Sequence, residues 1–183
     1  MSHEIEEAAR LPGTPDGFER LWTPHRMVYI QGENKPVSPT STECPFCTVQ
    51  AADDRAGLIL HRSERAYAVL NLYPYSPGHI LICTNRHVAD YTDLSAEEAA
   101  AVALLTQQSM RAIRNASAPQ GFNLGINQGA VAGAGIAAHL HQHVVPRWSG
   151  DTNFLPVVGQ TKALPQLLDQ TWEVVHRAWN ELT

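Results

Sequence analysis

The run His139-Leu140-His141-Gln142-His143-Val144-Val145 constrains this chain more than any other, because histidine recurs at every second position. A period of two is that of a β-strand. As a strand from His139 to Val145 the run sets three imidazoles on one face, spread over roughly 13 Å at about 3.3 Å per residue. A sheet core would not choose three adjacent polar rings, since a buried imidazole without partners for its nitrogens costs about 1–3 kcal/mol. The run therefore reads as one wall of a groove. A histidine-rich surface strand and a metal site built on histidines two residues apart are the competing readings. The chemistry that suits the array best is nucleotidyl transfer. A neutral imidazole attacks phosphorus, and the resulting phosphoramidate is cleaved by a second acceptor. At an ordinary histidine pKa of about 6.5 the attacking ring is already neutral near pH 7, and its second nitrogen is best held by a backbone carbonyl that fixes the tautomer.

The remaining 176 residues outside this heptapeptide bound what the groove can serve. Thirteen Lys and Arg stand against eighteen Asp and Glu, a formal charge of −5, so no chain-wide cationic surface exists to grip nucleic acid or an anionic membrane. An anionic ligand must be held locally. Residues Met1 to Arg10 are Glu-rich without an apolar core, and no stretch of 18 apolar residues occurs, which predicts a cytoplasmic protein. Three cysteines, Cys44, Cys47 and Cys83, do not make a secreted disulfide framework. Cys44-Pro45-Phe46-Cys47 is a C-x-x-C pair, for which redox or metal chemistry is the better question; Cys83, inside an apolar run, reads as core.

Periodicity predicts an α+β domain: an antiparallel sheet of about five strands with a long central helix and a C-terminal helix on one side. Strands are expected at Leu58 to His61, Ala66 to Leu70, Ile80 to Thr84, Phe122 to Asn127 and His139 to Val145. Ser95, with Glu98 three residues on, is a capping box that starts a helix running to about Asn115 before Pro119. A last helix is expected from about Leu164 to Leu182 with Pro165 in its first turn. Residues 1–183 read as one domain, divided into a proline-rich arm and loop over 1–43, a core over 44–150 and an extension over 151–183. Within the arm, Phe18 to Ile30 is expected to pack on the core and Glu33 to Glu43 to be a mobile loop. The small-residue loop from Gly129 to Gly135, directly before the histidines, lets backbone N–H groups approach an anion without lysines.

His-Leu-His-Gln-His-Val-Val resembles the signature of the histidine-triad (HIT) family of nucleotide hydrolases and transferases. Asn71-Leu72-Tyr73-Pro74-Tyr75-Ser76-Pro77-Gly78-His79-Ile80-Leu81-Ile82 is similar to the family's first block, and Asn127-Gln128-Gly129 to its loop before the triad. Pro146-Arg147-Trp148 resembles the extension of its dinucleoside polyphosphate branch, and the arm and C-terminal helix resemble the actinobacterial diadenosine tetraphosphate phosphorylase group. The resemblance implies His141 as nucleophile, flanked by His139 and His143, with His79 as a supporting ring behind them. It implies Asn71 at the ribose hydroxyls and Asn127 and Gln128 near the phosphates or leaving group. The family's usual Gln-Ser/Thr pair before the triad is here Gly135-Ile136, so backbone amides of the Gly133 to Gly135 segment must serve the phosphates. Gln142 is expected to meet the far side of the sheet. Trp148 either stacks on a base or anchors the strand end. Arg147 either reaches a distal phosphate or is simply an exposed arginine.

The same resemblance supplies partners for the cysteines. In several zinc-containing members the ligands correspond to Cys44, Cys47, His87 and His139, all present here, which implies a closed structural zinc site. Two reduced thiols in a turn are the alternative. The implied reaction is cleavage of a dinucleoside polyphosphate through a nucleotidyl-histidine intermediate. Inorganic phosphate as acceptor makes ADP plus ATP from diadenosine tetraphosphate; water as acceptor makes AMP plus ATP. A hydrolase of this kind, or of nucleoside phosphoramidates, and a non-catalytic nucleotide- or zinc-binding protein are the alternatives. No organic cofactor is expected. A homodimer is implied by the family alone.

Overall fold

The computed structural model describes residues 44–151 and 164–182, which fall in one compact unit. The expected arm and loop over 1–43 and the stretch 152–163 of the extension lie outside the described residues. The first described element is a short helix, α1 (Pro45–Gln50), in which Pro45 occupies the first turn where its missing N–H costs nothing and Cys44 is the N-cap. Strands β1 (Ile59–Arg62), β2 (Ala66–Leu70) and β3 (Ile80–Thr84) follow. Then come α2 (Ala96–Ser117), β4 (Gly121–Ile126), β5 (His141–Arg147) and α3 (Leu168–Asn180). The five strands form one sheet in the order β1-β2-β3-β5-β4, antiparallel at every pairing.

The period of two sorts the sheet into two faces. Ala66, Ala68, Leu70, Ile80, Ile82 and Val144 join Val102, Leu105, Ile113, Val175 and Trp179 of α2 and α3 in the larger core. The intervening residues Tyr67, Val69, Leu81 and Cys83 turn to the opposite face, where they pack with Cys44 and Phe46 of the α1 region. His141 lies opposite Cys83 and His143 opposite Leu81, so both rings belong to this second face. Gln142, between them, meets the helix side as expected, its amide donating to Thr106 Oγ1 of α2 at 2.8 Å.

Helix α2 starts at the predicted box: Glu98 N–H donates to Ser95 Oγ and Ser95 N–H to the Glu98 carboxylate. It ends at Ala118, whose φ of 46° is left-handed. Helix α3 begins at Leu168, four residues later than expected, so Pro165 precedes it and is not in its first turn. The helix covers the sheet edge at β1: Trp172 Nε1–H donates to Ile59 O at 2.8 Å and His176 Nδ1–H to Leu60 O at 3.2 Å. The first strand starts at Ile59 and not Leu58, because Leu58 takes a left-handed φ of 57°. The fourth runs Gly121–Ile126, leaving Asn127 outside it.

The last strand corrects the sequence expectation most. It begins at His141, not His139, and runs on to Arg147. Beyond Cys83 and Thr84 the neighbouring strand has ended, so His139 and Leu140 find no ladder there. The Leu140 N–H instead donates to Val88 O at 2.7 Å. Among the described residues no helix is long and apolar enough to cross a membrane.

Candidate active site and metal centre

Two of the three triad histidines share the groove and the third leaves it. His141 is nearly fully buried, and its Nδ1–H donates to the backbone carbonyl of His139 at 2.8 Å. A carbonyl can only accept, so the proton sits on Nδ1 and the Nε2 lone pair is the free one. Burial lowers the pKa of this ring, which keeps it neutral near pH 7. The His143 ring lies 5.2 Å from it, edge to face.

The proton on His143 follows from a chain of donors. Tyr75 N–H donates to His79 Nδ1 at 3.1 Å, and the Asn71 side-chain amide approaches the same nitrogen at 3.2 Å. Nδ1 of His79 is therefore an acceptor, its proton is on Nε2, and that N–H donates to His143 Nδ1 at 2.9 Å. The neutral His143 then carries its own proton on Nε2, a buried atom with no hydrogen-bond partner among the described residues. Burial, with His141 adding to it, pushes His143 down to about 4. The groove thus offers a free lone pair on one ring and an unpaired N–H donor on the next, as an attacking group and a phosphate-oxygen donor require.

His139 faces elsewhere. Its Nε2–H donates to Thr84 O at 2.8 Å, so its Nδ1 lone pair points to the cysteines, 3.3 Å from Cys44 Sγ and 3.5 Å from Cys47 Sγ. His87 presents Nδ1 3.4 Å from Cys47 Sγ. The four donor atoms lie within 4.8 Å of one another, Cys44 and His139 buried and Cys47 and His87 half-buried. With Zn–S of about 2.3 Å and Zn–N of about 2.0–2.1 Å, a tetrahedral ion separates sulfur from nitrogen by about 3.5 Å, so the donor set fits a metal of that size. Without a cation, burial and the Cys44 thiol push Cys47 up to about 11. That is the opposite of what a reactive thiol needs and leaves a ligand role open. Cys83 is fully buried in the sheet, as expected, and burial raises its thiol further.

Local structure brings these ligands together. The first turn of α1 carries both cysteines, and Arg62 of β1 ties down its far end by donating to Gln50 O and Ala52 O. His87 follows Arg86, whose guanidinium forks onto the Glu98 carboxylate at 2.8–2.9 Å and donates to Asp93 O. The Arg86 hydrogen bonds hold Glu98 down to about 2. Sequence reasoning does not single out Phe46, Thr84 or Tyr75. Phe46, between the cysteines, sets its ring 5.5 Å from that of His139 and 4.8 Å from that of His141. Thr84 acts through its carbonyl, for which no side chain is a signal. Tyr75 lies inside the quoted Asn71 to Ile82 block and stacks on His143 with centroids 5.7 Å apart.

The other expected site residues lie at strand ends and in the loops between elements. Asn71 also accepts from Tyr73 N–H, so it braces the turn that holds His79. Gln128 accepts from Tyr91 N–H at 3.0 Å and also bonds Asp90, linking the pre-triad loop to the segment after His87. Asn127 is half-buried just past β4. Gly129 and Gly133 flank a turn at Ala130–Ala132 with φ of 80° and 87°, values that a side chain would strain, and Gly135 follows two residues on. Trp148 lies past the far end of β5, where its Nε1–H donates to Ser117 O of α2, the contact of an anchor. Arg147 is taken up by Asp151 and Asn123.

Comparison with known proteins places the chain among relatives. The family description "HIT domain" matches residues 55–150. The chain is 44% identical over 170 residues to the AP-4-A phosphorylase of Mycobacterium tuberculosis, covering 91% of this chain and 87% of that protein. It is 31% identical over 132 residues to a bifunctional bis(5'-adenosyl)-triphosphatase/adenylylsulfatase of Arabidopsis thaliana, covering 68% and 71%. Among solved structures, a Zn-bound histidine triad family protein from Mycobacterium smegmatis superimposes with a TM-score of 0.63 at 26% identity, over 78% of this chain and 97% of that one.

Proposed function

The chain belongs to the HIT domain family, and from that premise we propose that it is a diadenosine tetraphosphate phosphorylase working through a nucleotidyl-histidine intermediate. The observation that carries the mechanism is the pairing of the His141 Nε2 lone pair, freed by the Nδ1–H bond to His139 O, with the unpaired Nε2–H of His143. The reading of the substrate draws on the relative of 44% identity. His141 Nε2 attacks the phosphorus nearest one adenosine. A P–N bond forms, the P–O bond to the remaining phosphates breaks, and ATP leaves with the electron pair. An oxygen of inorganic phosphate then attacks the same phosphorus, the P–N bond breaks and returns its pair to Nε2, and ADP is released.

His143 and His79 hold the donor, Asn71 serves the ribose with the lone pair and N–H that its turn leaves over, and Asn127 and Gln128 line the phosphate side. Backbone amides between Gly129 and Gly135 take the place of cationic side chains. Trp148 anchors the end of β5 against α2. Cys44, Cys47, His87 and His139 hold zinc, a choice that their sulfur–nitrogen spacing and the Zn-bound neighbour support. The ion crosslinks α1 to the sheet and leaves His141 free for chemistry. The enzyme works in the cytoplasm, where such thiols stay reduced, as one domain that pairs with a second copy. The exposed edge strand β4 with Leu124, and Leu104 on α2, favour that pairing.

The test is to incubate the protein with diadenosine tetraphosphate, with and without inorganic phosphate, and identify the products. ADP plus ATP that appear only with phosphate support the phosphorylase. AMP plus ATP formed equally in both makes water the acceptor. No turnover in either leaves a nucleotide-binding protein and removes the proposal.

A further inference from the structure

The Tyr75 side chain has no assigned part in the reaction, yet it sits against both rings that carry the donor. Its ring lies parallel to His143, with an interplanar angle of 15° and centroids 5.7 Å apart, and is tilted over His79 at 4.7 Å. Its backbone N–H is the donor that makes His79 Nδ1 an acceptor. The residue is 48% exposed, and its ring covers the imidazoles. Pro74 and Pro77 bracket it in sequence and limit the backbone freedom of the turn that presents it.

We propose that Tyr75 is a positioning residue for the leaving group: its ring shields and orients His143 while its backbone fixes the His79 proton, so that His143 offers Nε2–H to the departing phosphate oxygen. The inference rests on the nucleotidyl-transfer reading of the groove. When the P–O bond breaks, its electron pair goes to the leaving oxygen, and the Nε2–H of His143 donates a hydrogen bond to that oxygen while the proton stays on the ring. For this, His143 must stay neutral, because a second proton would occupy the Nδ1 that accepts from His79. Titratable groups that the described residues place against His143 are His79 from the turn before β3, His141 on β5 and Tyr75 itself. No described carboxylate contacts the ring, so its exclusion from water is what keeps it neutral, and Tyr75 provides one wall of that exclusion.

The test uses the full chain with Tyr75→Phe, Tyr75→Leu and Tyr75→Ala. The backbone N–H persists in all three, which isolates the ring. Phe should stay within about twofold of the parent, whereas Ala and Leu should lower kcat by about tenfold with KM for the dinucleotide little changed. In ¹⁵N-histidine NMR spectra the His143 titration should move up toward the ordinary value of about 6.5 in Ala and Leu but not in Phe. Leu keeps an apolar side chain over the turn and guards against loss of folding in Ala. An unchanged kcat in Leu, a raised KM with kcat intact, or a His143 titration that does not move would each overturn the inference. So would Phe being as impaired as Ala, which would point to the hydroxyl. If the parent protein turns over no nucleotide, the proposed function fails on its own terms, and the His143 titration still decides whether Tyr75 shields the ring.

Discussion

At the scale of single residues the site is a set of assigned protons. His141 has one nitrogen committed to a backbone carbonyl and one free, which is a stronger statement than burial or proximity alone. His141→Ala should abolish turnover, by at least about a thousandfold, while leaving the circular dichroism spectrum and melting temperature near those of the parent. Persistent turnover in the purified variant would refute the covalent route. His143 gives a second prediction with a definite sign. Its folded pKa of about 4 lies below the ordinary value of about 6.5 that it regains on unfolding. Between those two values the unfolded chain takes up a proton that the folded chain refuses, so stability is full above about pH 6.5 and falls as pH drops toward 4. Urea unfolding at pH 7.5, 6.5, 5.5 and 4.5 should show that loss, and His143→Gln, which does not titrate, should make it shallower without removing it, because burial also lowers His141 and His61. Equal slopes in the two proteins would contradict the assignment.

Among the secondary-structure elements, the boundaries respond to local backbone chemistry. Helix α2 begins where Ser95 and Glu98 satisfy each other's N–H groups and ends on a left-handed Ala118 followed by Pro119. An L-residue with a Cβ pays for that conformation, and glycine does not. Ala118→Gly should therefore stabilise the protein by about 1 kcal/mol, raising the melting temperature by about 2–4 °C. A decrease in calorimetry would mean that the alanine methyl makes a contact worth more than the strain. Helix α1 is the opposite case. Six residues are too few to hold a helix in water, so its position depends on what Cys44, Phe46 and Cys47 touch.

For the whole molecule, the cysteine and histidine cluster is the joint between α1 and the sheet. It draws on α1, on the segment after β3 and on the residue two before β5. The same residue, His139, faces the cysteines with its side chain and holds His141 with its carbonyl, so the metal centre and the nucleophile share one backbone. Cys47→Ser should lower the metal content of protein purified without chelator from about one equivalent toward none and the melting temperature by at least about 5 °C. Elemental analysis and calorimetry read the two effects separately. A parent protein that carries no metal would leave one buried and one half-buried thiol in place of a joint.

Much of this was legible in the residues alone, because the signals involved are local. The apolar runs located β2 and β3, alternation along β5 separated its two faces, the Ser95 and Glu98 pair marked the start of α2, and the spacing of His141 and His143 put two rings in one groove. These depend on periodicity and on side chains within one turn of each other. What only the tertiary structure decided is where non-local partners stop a local pattern. His139 continues the alternation in sequence but leaves the strand, because β3 ends at Thr84 and because Cys44, 95 residues away, and the Thr84 carbonyl claim its two nitrogens. Helix α3 starts late, and it is placed by Trp172 and His176 on the carbonyls of an edge strand more than 110 residues earlier. The proton on His143 was equally out of reach, since it is set by a backbone N–H of Tyr75 passed through His79. Backbone donors and acceptors are the same at every residue, so the sequence determined which side chains the site contains, and the fold decided which nitrogen of each histidine is free to act.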